Sequence, residues 1–109
     1  MPQQPRMDAD PAQLAVKARE VADVLKALAH PQRLLVLCRL SAGEANVSAL
    51  QEVLGAEQAV VSHLLAKLRR EALVVAERRG QQVFYALADA RVAKVLEVLT
   101  ATYCEEMPR

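Results

Sequence analysis

The stretch that decides the fold runs from residue 47 to residue 71 and reads VSALQEVLGAEQAVVSHLLAKLRRE. Ser48 stands near its start and Gln51 follows three residues later, which is the spacing of a helix-capping box. Gly55 interrupts the apolar pattern, and a second helix is predicted from about Glu57 to Glu71. Two helices joined by a short turn that contains Gly are typical of a helix-turn-helix.

A β-hairpin is predicted directly after this stretch. Runs 74–79 and 82–87 flank Gly80-Gln81, and the second run, QVFYAL, is β-branched and aromatic. Basic residues stand at the tip of this hairpin. Asp89 then caps a last amphipathic helix that is predicted to continue to about residue 105.

Two further helices are predicted upstream. Asp10-Pro11 combines a capping residue with Pro at the first helical position, and Pro31 opens a second helix in the same way. The second helix, through residue 42, is apolar nearly all round and is therefore expected to be central. The expected fold is mainly α with a β-hairpin wing, a winged helix-turn-helix of order ααααββα, over residues 10–106. Residues 1–9 are predicted to be a disordered N-terminal tail.

The charge of the chain is informative only in its distribution. The formal net charge of 109 residues is +1, which by itself does not favour nucleic acid. From Lys67 to Arg79, however, five basic residues stand against two acidic ones, and this excess predicts a basic face. No leader pattern and no apolar run of membrane-spanning length occurs, so we expect a cytoplasmic protein with no membrane partner. No catalytic constellation or phosphate loop appears, so neither an enzyme nor a cofactor is expected.

The second helix of the helix-turn-helix is predicted to read double-stranded DNA, because the major groove admits an α-helix. Its exposed early positions are predicted to face bases, and Gln58 among them can pair with adenine through two hydrogen bonds. These positions are Gln58, Ala59, Ser62 and His63. Other side chains, on the rest of this helix and on the wing, are predicted to hold phosphates. They are Lys67, Arg70, Arg78, Arg79 and Gln81.

Three segments together resemble the ArsR family of bacterial repressors. They are LAHPQRL at residues 28–34, residues 58–68, and VFY at residues 83–85, and the similarity extends over about residues 15–104. The resemblance implies a homodimer formed by the first and last helices, an imperfect inverted repeat as operator, and release by an inducer. Ala72 stands where the family commonly has Gly. If the backbone there is left-handed, Ala costs about 1 kcal/mol.

The two cysteines, Cys38 and Cys104, admit two interpretations. The residues alone leave open that both thiols are inert, with Cys38 acting as a small hydrophobic residue of the core. Their surroundings, VLCRL at residues 36–40 and TYCEE at residues 102–106, resemble the branch of the family that contains BigR, SqrR and HlyU. That resemblance implies two redox-sensing thiols that reactive sulfur species or oxidants bridge within one protomer, releasing the operator.

Two alternative functions remain open at this point. One is a metal(loid)-responsive repressor, which would need ligands that the chain lacks at the usual places. Residues 48–54 contain neither Cys nor His, the last helix contains no His, and a closed zinc site needs four ligands. No metal site is therefore predicted. The other alternative is a winged-helix module that binds a protein partner and no DNA.

Overall fold

The computed structural model describes residues 10–104 of the chain. The predicted disorder of residues 1–9 and the predicted domain end at residues 105–106 lie outside the described residues. Within that range the helices and strands follow in this order: α1 (Pro11–Leu28), α2 (Pro31–Ser41), β1 (Ala45–Asn46), α3 (Val47–Leu54), α4 (Gln58–Arg70), β2 (Val74–Arg79), β3 (Gln82–Leu87) and α5 (Ala90–Cys104). The predicted winged helix-turn-helix is confirmed, with one short strand added.

The first two helices begin as the sequence predicts. Asp10 accepts a hydrogen bond from the backbone N–H of Ala12 at 3.2 Å, and His30 occupies the N-cap of α2 before Pro31. Helix α2 buries Val36, Leu37 and Leu40, as a central helix should. It is not buried on every side, however, because Leu35 is 45% exposed.

The helix-turn-helix consists of α3 and α4, but the predicted cap of α3 was wrong. Asn46, not Ser48, is the N-cap, and its Oδ1 accepts a hydrogen bond of 2.9 Å from the backbone N–H of Ala49. The spacing of Ser48 and Gln51 led to the wrong cap because Asn46, two residues before Ser48, also has a side-chain oxygen. That oxygen accepts from one of the backbone N–H groups that have no partner within the first turn of a helix. Helix α3 ends at Gly55, whose φ of 60° suits a residue without a Cβ.

The hairpin has the predicted strand ranges, and its register places Val74 opposite Leu87 and Arg79 opposite Gln82. The sheet has a third strand that the sequence analysis missed. Strand β1 lies on the far side of β3, in the order β1-β3-β2, and Ala45 pairs with Tyr85. Two residues are too few for a period-2 pattern, so this strand leaves no signal in the sequence.

The hydrophobic core lies where α2 packs against α3 and α5, and α3 packs against α4. Aliphatic side chains fill it, and the buried members are Leu28, Val36, Leu37, Leu40, Ala45, Leu50, Val61, Leu65, Leu68, Leu73, Val74, Val92 and Leu96. Helix α5 begins after Asp89, which accepts a hydrogen bond of 2.8 Å from the backbone N–H of Arg91. Among residues 10–104, no helix is both long and apolar enough to cross a membrane.

Candidate DNA interface and thiol positions

Helix α4 has two distinct faces. Val61, Leu65 and Leu68 are fully buried against the core. The positions predicted to contact DNA lie on the remaining surface of the helix, and all of them are exposed: Gln58, Ala59, Ser62, His63, Lys67 and Arg70. The buried stripe therefore fixes which side chains α4 presents to solvent.

A shallow groove brings part of the predicted site together. Ala59, His63 and Lys67 line it at successive turns of α4, and Gln32 from the first turn of α2 completes it. Successive positions four apart lie on one side of a helix, which explains their alignment. Gln32 was not predicted, because nothing in the local sequence indicates that α2 reaches this surface.

A second depression lies between α4 and the sheet. Ser62 and Arg70 line it from α4, together with Arg69, and Tyr85 lines it from β3. Arg69 was missed as a site residue, although its spacing of seven from Ser62 places both on the same side of the helix. This depression joins the exposed face of α4 to the wing.

The wing tip is the turn Gly80-Gln81, and Gly80 has a φ of 64°. Arg78 lies beside the turn with an exposed side chain, and its Nε donates a hydrogen bond of 3.1 Å to the Gly80 carbonyl oxygen. Gln81 is likewise exposed. Both side chains are therefore open to solvent at the wing tip.

Arg79 is placed differently from the other wing residues. Its guanidinium forms a two-pronged ion pair with Glu44, in which Nη2 lies 2.9 Å from Oε2, and its Nε donates to Glu77 at 2.9 Å. The Arg79 guanidinium carbon also lies 4.8 Å from the centre of the Phe84 ring. Hydrogen bonds from Arg79 lower the pKa values of the Glu44 and Glu77 carboxyl groups, and the two carboxylates raise the pKa of Arg79.

The two cysteines lie on helices that pack against each other, α2 and α5. Cys38 is half-buried and packs against the core, whereas Cys104 is the last residue of α5 and is exposed. Both are free thiols in this structure. One thiol is thus open to a small reagent and the other is partly shielded.

Metal ligands are not clustered in the part of the chain that the structure describes. Residues 10–104 contain no group of three or more His, Cys, Asp or Glu side chains that could hold an ion.

Helices α1 and α5 leave a large apolar surface uncovered. In α1 only Leu28 is buried, and Val21 and Leu25 are both more than half exposed. On α5, Val98 is 65% exposed. The two helices are joined at one end by Arg91, whose Nη1 lies 3.4 Å from Oε1 of Glu20. Several large apolar side chains exposed on two helices are typical of a surface that another molecule covers.

Comparison with known proteins agrees with this geometry. Residues 30–75 match the family described as "Bacterial regulatory protein, arsR family". The chain is 41% identical over 88 residues to the biofilm growth-associated repressor of Agrobacterium fabrum, covering 81% of this chain and 75% of that protein. It is 39% identical over 82 residues to the transcriptional activator HlyU of Vibrio cholerae, covering 75% of this chain and 76% of that protein.

Solved structures extend the similarity to the whole described domain. The transcriptional repressor BigR from Xylella fastidiosa superimposes with a TM-score of 0.77 at 34% identity, covering 88% of this chain and 98% of that chain. A homodimeric winged helix-turn-helix DNA-binding domain from Mycobacterium bovis gives a TM-score of 0.68 at 31% identity, covering 93% of this chain and 94% of that chain.

Fold and relatives together define a winged helix-turn-helix transcriptional regulator, and they confirm that the chain is not an enzyme. The chain belongs to the ArsR family of bacterial regulatory proteins.

Proposed function

We propose that the protein is a homodimeric repressor that binds an inverted-repeat operator and releases it when Cys38 and Cys104 are bridged. The observation that carries the DNA-binding part is the exposed surface of α4, where the predicted base-reading and phosphate-binding side chains are open to solvent while the buried stripe holds the helix to the core. The similarity to the repressor BigR, whose chain is covered to 98%, supports the direction of regulation.

Gln58, Ala59, Ser62 and His63 form the proposed base-reading set, because they occupy the first turns of the helix that enters the groove. Positively charged side chains and the wing tip supply the proposed phosphate contacts. These are Lys67, Arg70, Arg78 and Gln81. Arg79 is left out of this set, since two carboxylates already hold its guanidinium.

The apolar surface of α1 and α5 is the proposed subunit interface. A solved homodimeric relative supports a dimer, and the exposure of Val98 supports this surface as the interface. Val98→Glu should place a charge in the interface and give a monomeric mass by light scattering. Val75→Glu is the matched control, because Val75 is 53% exposed on β2, away from α1 and α5, and should leave the dimer intact. A dimer that survives Val98→Glu would contradict this interface.

The proposed switch is a two-thiol oxidation. A Cys thiolate attacks the outer sulfur of a persulfide R–S–SH, which gives a Cys persulfide and the thiol R–SH. The second Cys thiolate then attacks the sulfur still bound to the first Cys, and hydrosulfide leaves. Two thiols are oxidised to one disulfide, while the persulfide is reduced to R–SH and hydrogen sulfide. With peroxide as oxidant, the same two thiols give the disulfide and two molecules of water.

The packing of α2 on α5 supports a coupling between this bridge and DNA binding. A bond from Cys38 to Cys104 would tie the helix behind the helix-turn-helix to the proposed dimer helix. Two half-sites on one duplex require a fixed spacing of the two recognition helices, so a small shift at the interface loses contacts on both sides.

The test compares DNA affinity before and after treatment with a persulfide donor or peroxide. The duplex is the one that the reduced wild-type protein selects from a random library, measured by fluorescence anisotropy. Bridged protein should bind about tenfold more weakly or worse, which corresponds to about 1.4 kcal/mol of coupling. Cys38→Ser and Cys104→Ser should bind like the reduced protein and ignore both reagents. Mass spectrometry should find one bridge within a protomer.

Each part of the proposal can fail separately. A Ser variant that still dissociates on treatment would refute the two-thiol switch, because one thiol cannot form the bridge. A disulfide-linked dimer on a non-reducing gel would refute bridging within a protomer. If zinc or arsenite releases the DNA and the oxidants do not, the protein is a metal(loid)-responsive repressor. If no duplex is selected at all, the fold serves a protein partner.

A further inference from the structure

Arg79 is the last residue of β2 and stands next to the wing tip. The residues that its guanidinium contacts all lie further from the tip. Glu77 precedes it by two residues on the same strand, and Phe84 is the residue that pairs with Glu77 across the hairpin. Glu44 directly precedes β1, on the opposite edge of the sheet. The side chain therefore folds back from the tip across the middle strand.

This arrangement connects all three strands. Glu44 stands before β1, Phe84 lies in β3, and Arg79 ends β2, in a sheet of order β1-β3-β2. A second side-chain contact connects β1 to β3. The Asn46 side chain donates a hydrogen bond of 3.4 Å to the Gln82 side chain, at the end of β3 nearest the wing tip. Because Asn46 also caps α3, the wing is tied to the helix-turn-helix at this edge.

We propose that Glu44 is a positioning residue for DNA binding: by holding Arg79 it fixes the orientation of the wing, so that Arg78 and Gln81 at the tip meet the DNA backbone. All three guanidinium nitrogens of Arg79 are hydrogen-bonded to carboxylates, and its face is stacked on Phe84. Arg78, in contrast, makes only the hydrogen bond to the turn carbonyl among the described residues. This inference rests on the proposed binding of DNA by the wing.

The competing view is that Arg79 itself contacts a phosphate and that Glu44 competes for it. The two views predict opposite signs for Glu44→Ala. If Glu44 competes, its removal releases Arg79, deletes a negative charge near DNA, and tightens binding. If Glu44 positions the wing, its removal weakens binding although the protein becomes more positive.

The experiment measures affinity for the duplex that the wild-type protein selects from a random library, over a range of salt concentrations. Glu44→Ala should weaken binding at least about threefold and lower the salt slope by about one unit, because the phosphate contact of Arg78 is lost. Glu52→Ala is the control of equal charge. Glu52 is exposed on α3 and forms no ion pair within residues 10–104, so its removal should leave affinity unchanged or slightly higher.

A double-mutant cycle separates positioning from general damage. In the Arg78→Ala background, Glu44→Ala should have little further effect, because the wing contact that it positions is already absent. Thermal unfolding of Glu44→Ala should remain cooperative. Binding that is unchanged or tighter in Glu44→Ala, or fully additive losses in the cycle, would overturn the inference. Failure of the wild-type protein to select any duplex would instead overturn the proposed function.

Discussion

Arg33 donates a hydrogen bond of 2.7 Å from Nη2 to Oε1 of Glu71, and this ion pair joins the first turn of α2 to the C-cap of α4. The Arg33 side chain is only 16% exposed. The pair therefore fixes the end of the recognition helix against the helix that carries Cys38. Among the ion pairs of the described residues, Arg33 is the least exposed side chain. The Arg33–Glu71 pair is therefore better shielded from water than the others.

We expect Arg33→Ala to lower the free energy of unfolding by about 1–3 kcal/mol, because a shielded hydrogen bond to a charged group is lost. Urea unfolding at fixed protomer concentration measures this loss. Arg91→Ala is the control, since that side chain is 72% exposed and an exposed ion pair contributes little to stability. Equal losses for both variants would show that the Arg33 pair has no special role.

Ala72 has a φ of 60°, so the left-handed backbone that the sequence analysis considered is present. The backbone N–H groups of Ala72 and Leu73 close the end of α4 by donating to the carbonyl oxygens of Arg69 and Leu68, the pattern of a Schellman cap. Ala72→Gly should therefore stabilise the protein by about 1 kcal/mol. Ala42→Gly, at an exposed right-handed position, should not stabilise it. Chemical denaturation measures the free energy of unfolding of both variants. Equal changes in that free energy would rule out strain at Ala72.

The exposed face of α4 predicts two kinds of loss of DNA binding. Gln58→Ala should cost about 1–3 kcal/mol on the preferred duplex and relax the preference at particular base pairs. Arg70→Ala should weaken binding to all duplexes alike and lower the salt slope by about one unit. Affinities for the selected duplex and for its single-base variants test both. If Arg70→Ala relaxes the base preference, Arg70 reads bases and does not only hold a phosphate. If Gln58→Ala keeps the full base preference, Gln58 does not read bases.

Stability should fall in acid through three carboxyl groups whose pKa values are lowered in the folded protein: Glu44, Glu77 and Asp89. A folded-state pKa below the unfolded one stabilises the fold above the unfolded value, and this stabilisation is lost as the pH falls through the folded value. For Asp89 the hydrogen bond from the Arg91 side chain is the main cause of the lowered pKa, and the ordinary value is 3.8. The midpoint of thermal unfolding should therefore hold above about pH 5 and drop below about pH 4.

Asp89→Asn isolates one of these groups. Asn keeps the ability to cap α5 but does not titrate, so the acid drop in the midpoint should become shallower. Glu52→Gln, which removes a carboxylate that forms no ion pair within residues 10–104, should leave the slope unchanged. If Asp89→Asn shows the full acid drop, that carboxyl group does not contribute to it.

Most of the fold could be predicted because strong local signals agree. In α4, the positions that the sequence predicted to be exposed, such as Gln58 and Ser62, are exposed, while Val61, Leu65 and Leu68 are buried. The hairpin was predicted to the residue, since a two-residue turn with Gly separates two β-rich runs. These features depend on neighbours within a few positions.

The features that were missed depend on distant residues. Strand β1 forms because β3, almost forty positions later, offers it a partner, and Glu44 is defined by an ion pair with a residue 35 positions away. Neither has a local pattern. Arg79 was predicted from its basic type to hold a phosphate, and that prediction could not include the ion pairs with Glu44 and Glu77, which depend on the folded sheet. The positions of the two thiols could be assigned to helices, but their readiness to react depends on packing that periodicity does not encode.

The separation of α4 into two faces has a consequence for how such a regulator diverges. Residues that hold the helix to the core, such as Val61 and Leu65, share no position with those proposed to read bases. Substitutions at exposed positions usually change stability by less than about 0.5 kcal/mol. After gene duplication, one copy can therefore acquire a new operator by changes at Gln58 or Ser62 without passing through an unfolded form. The helices that carry the two cysteines, which are proposed to sense the inducer, can be inherited unchanged.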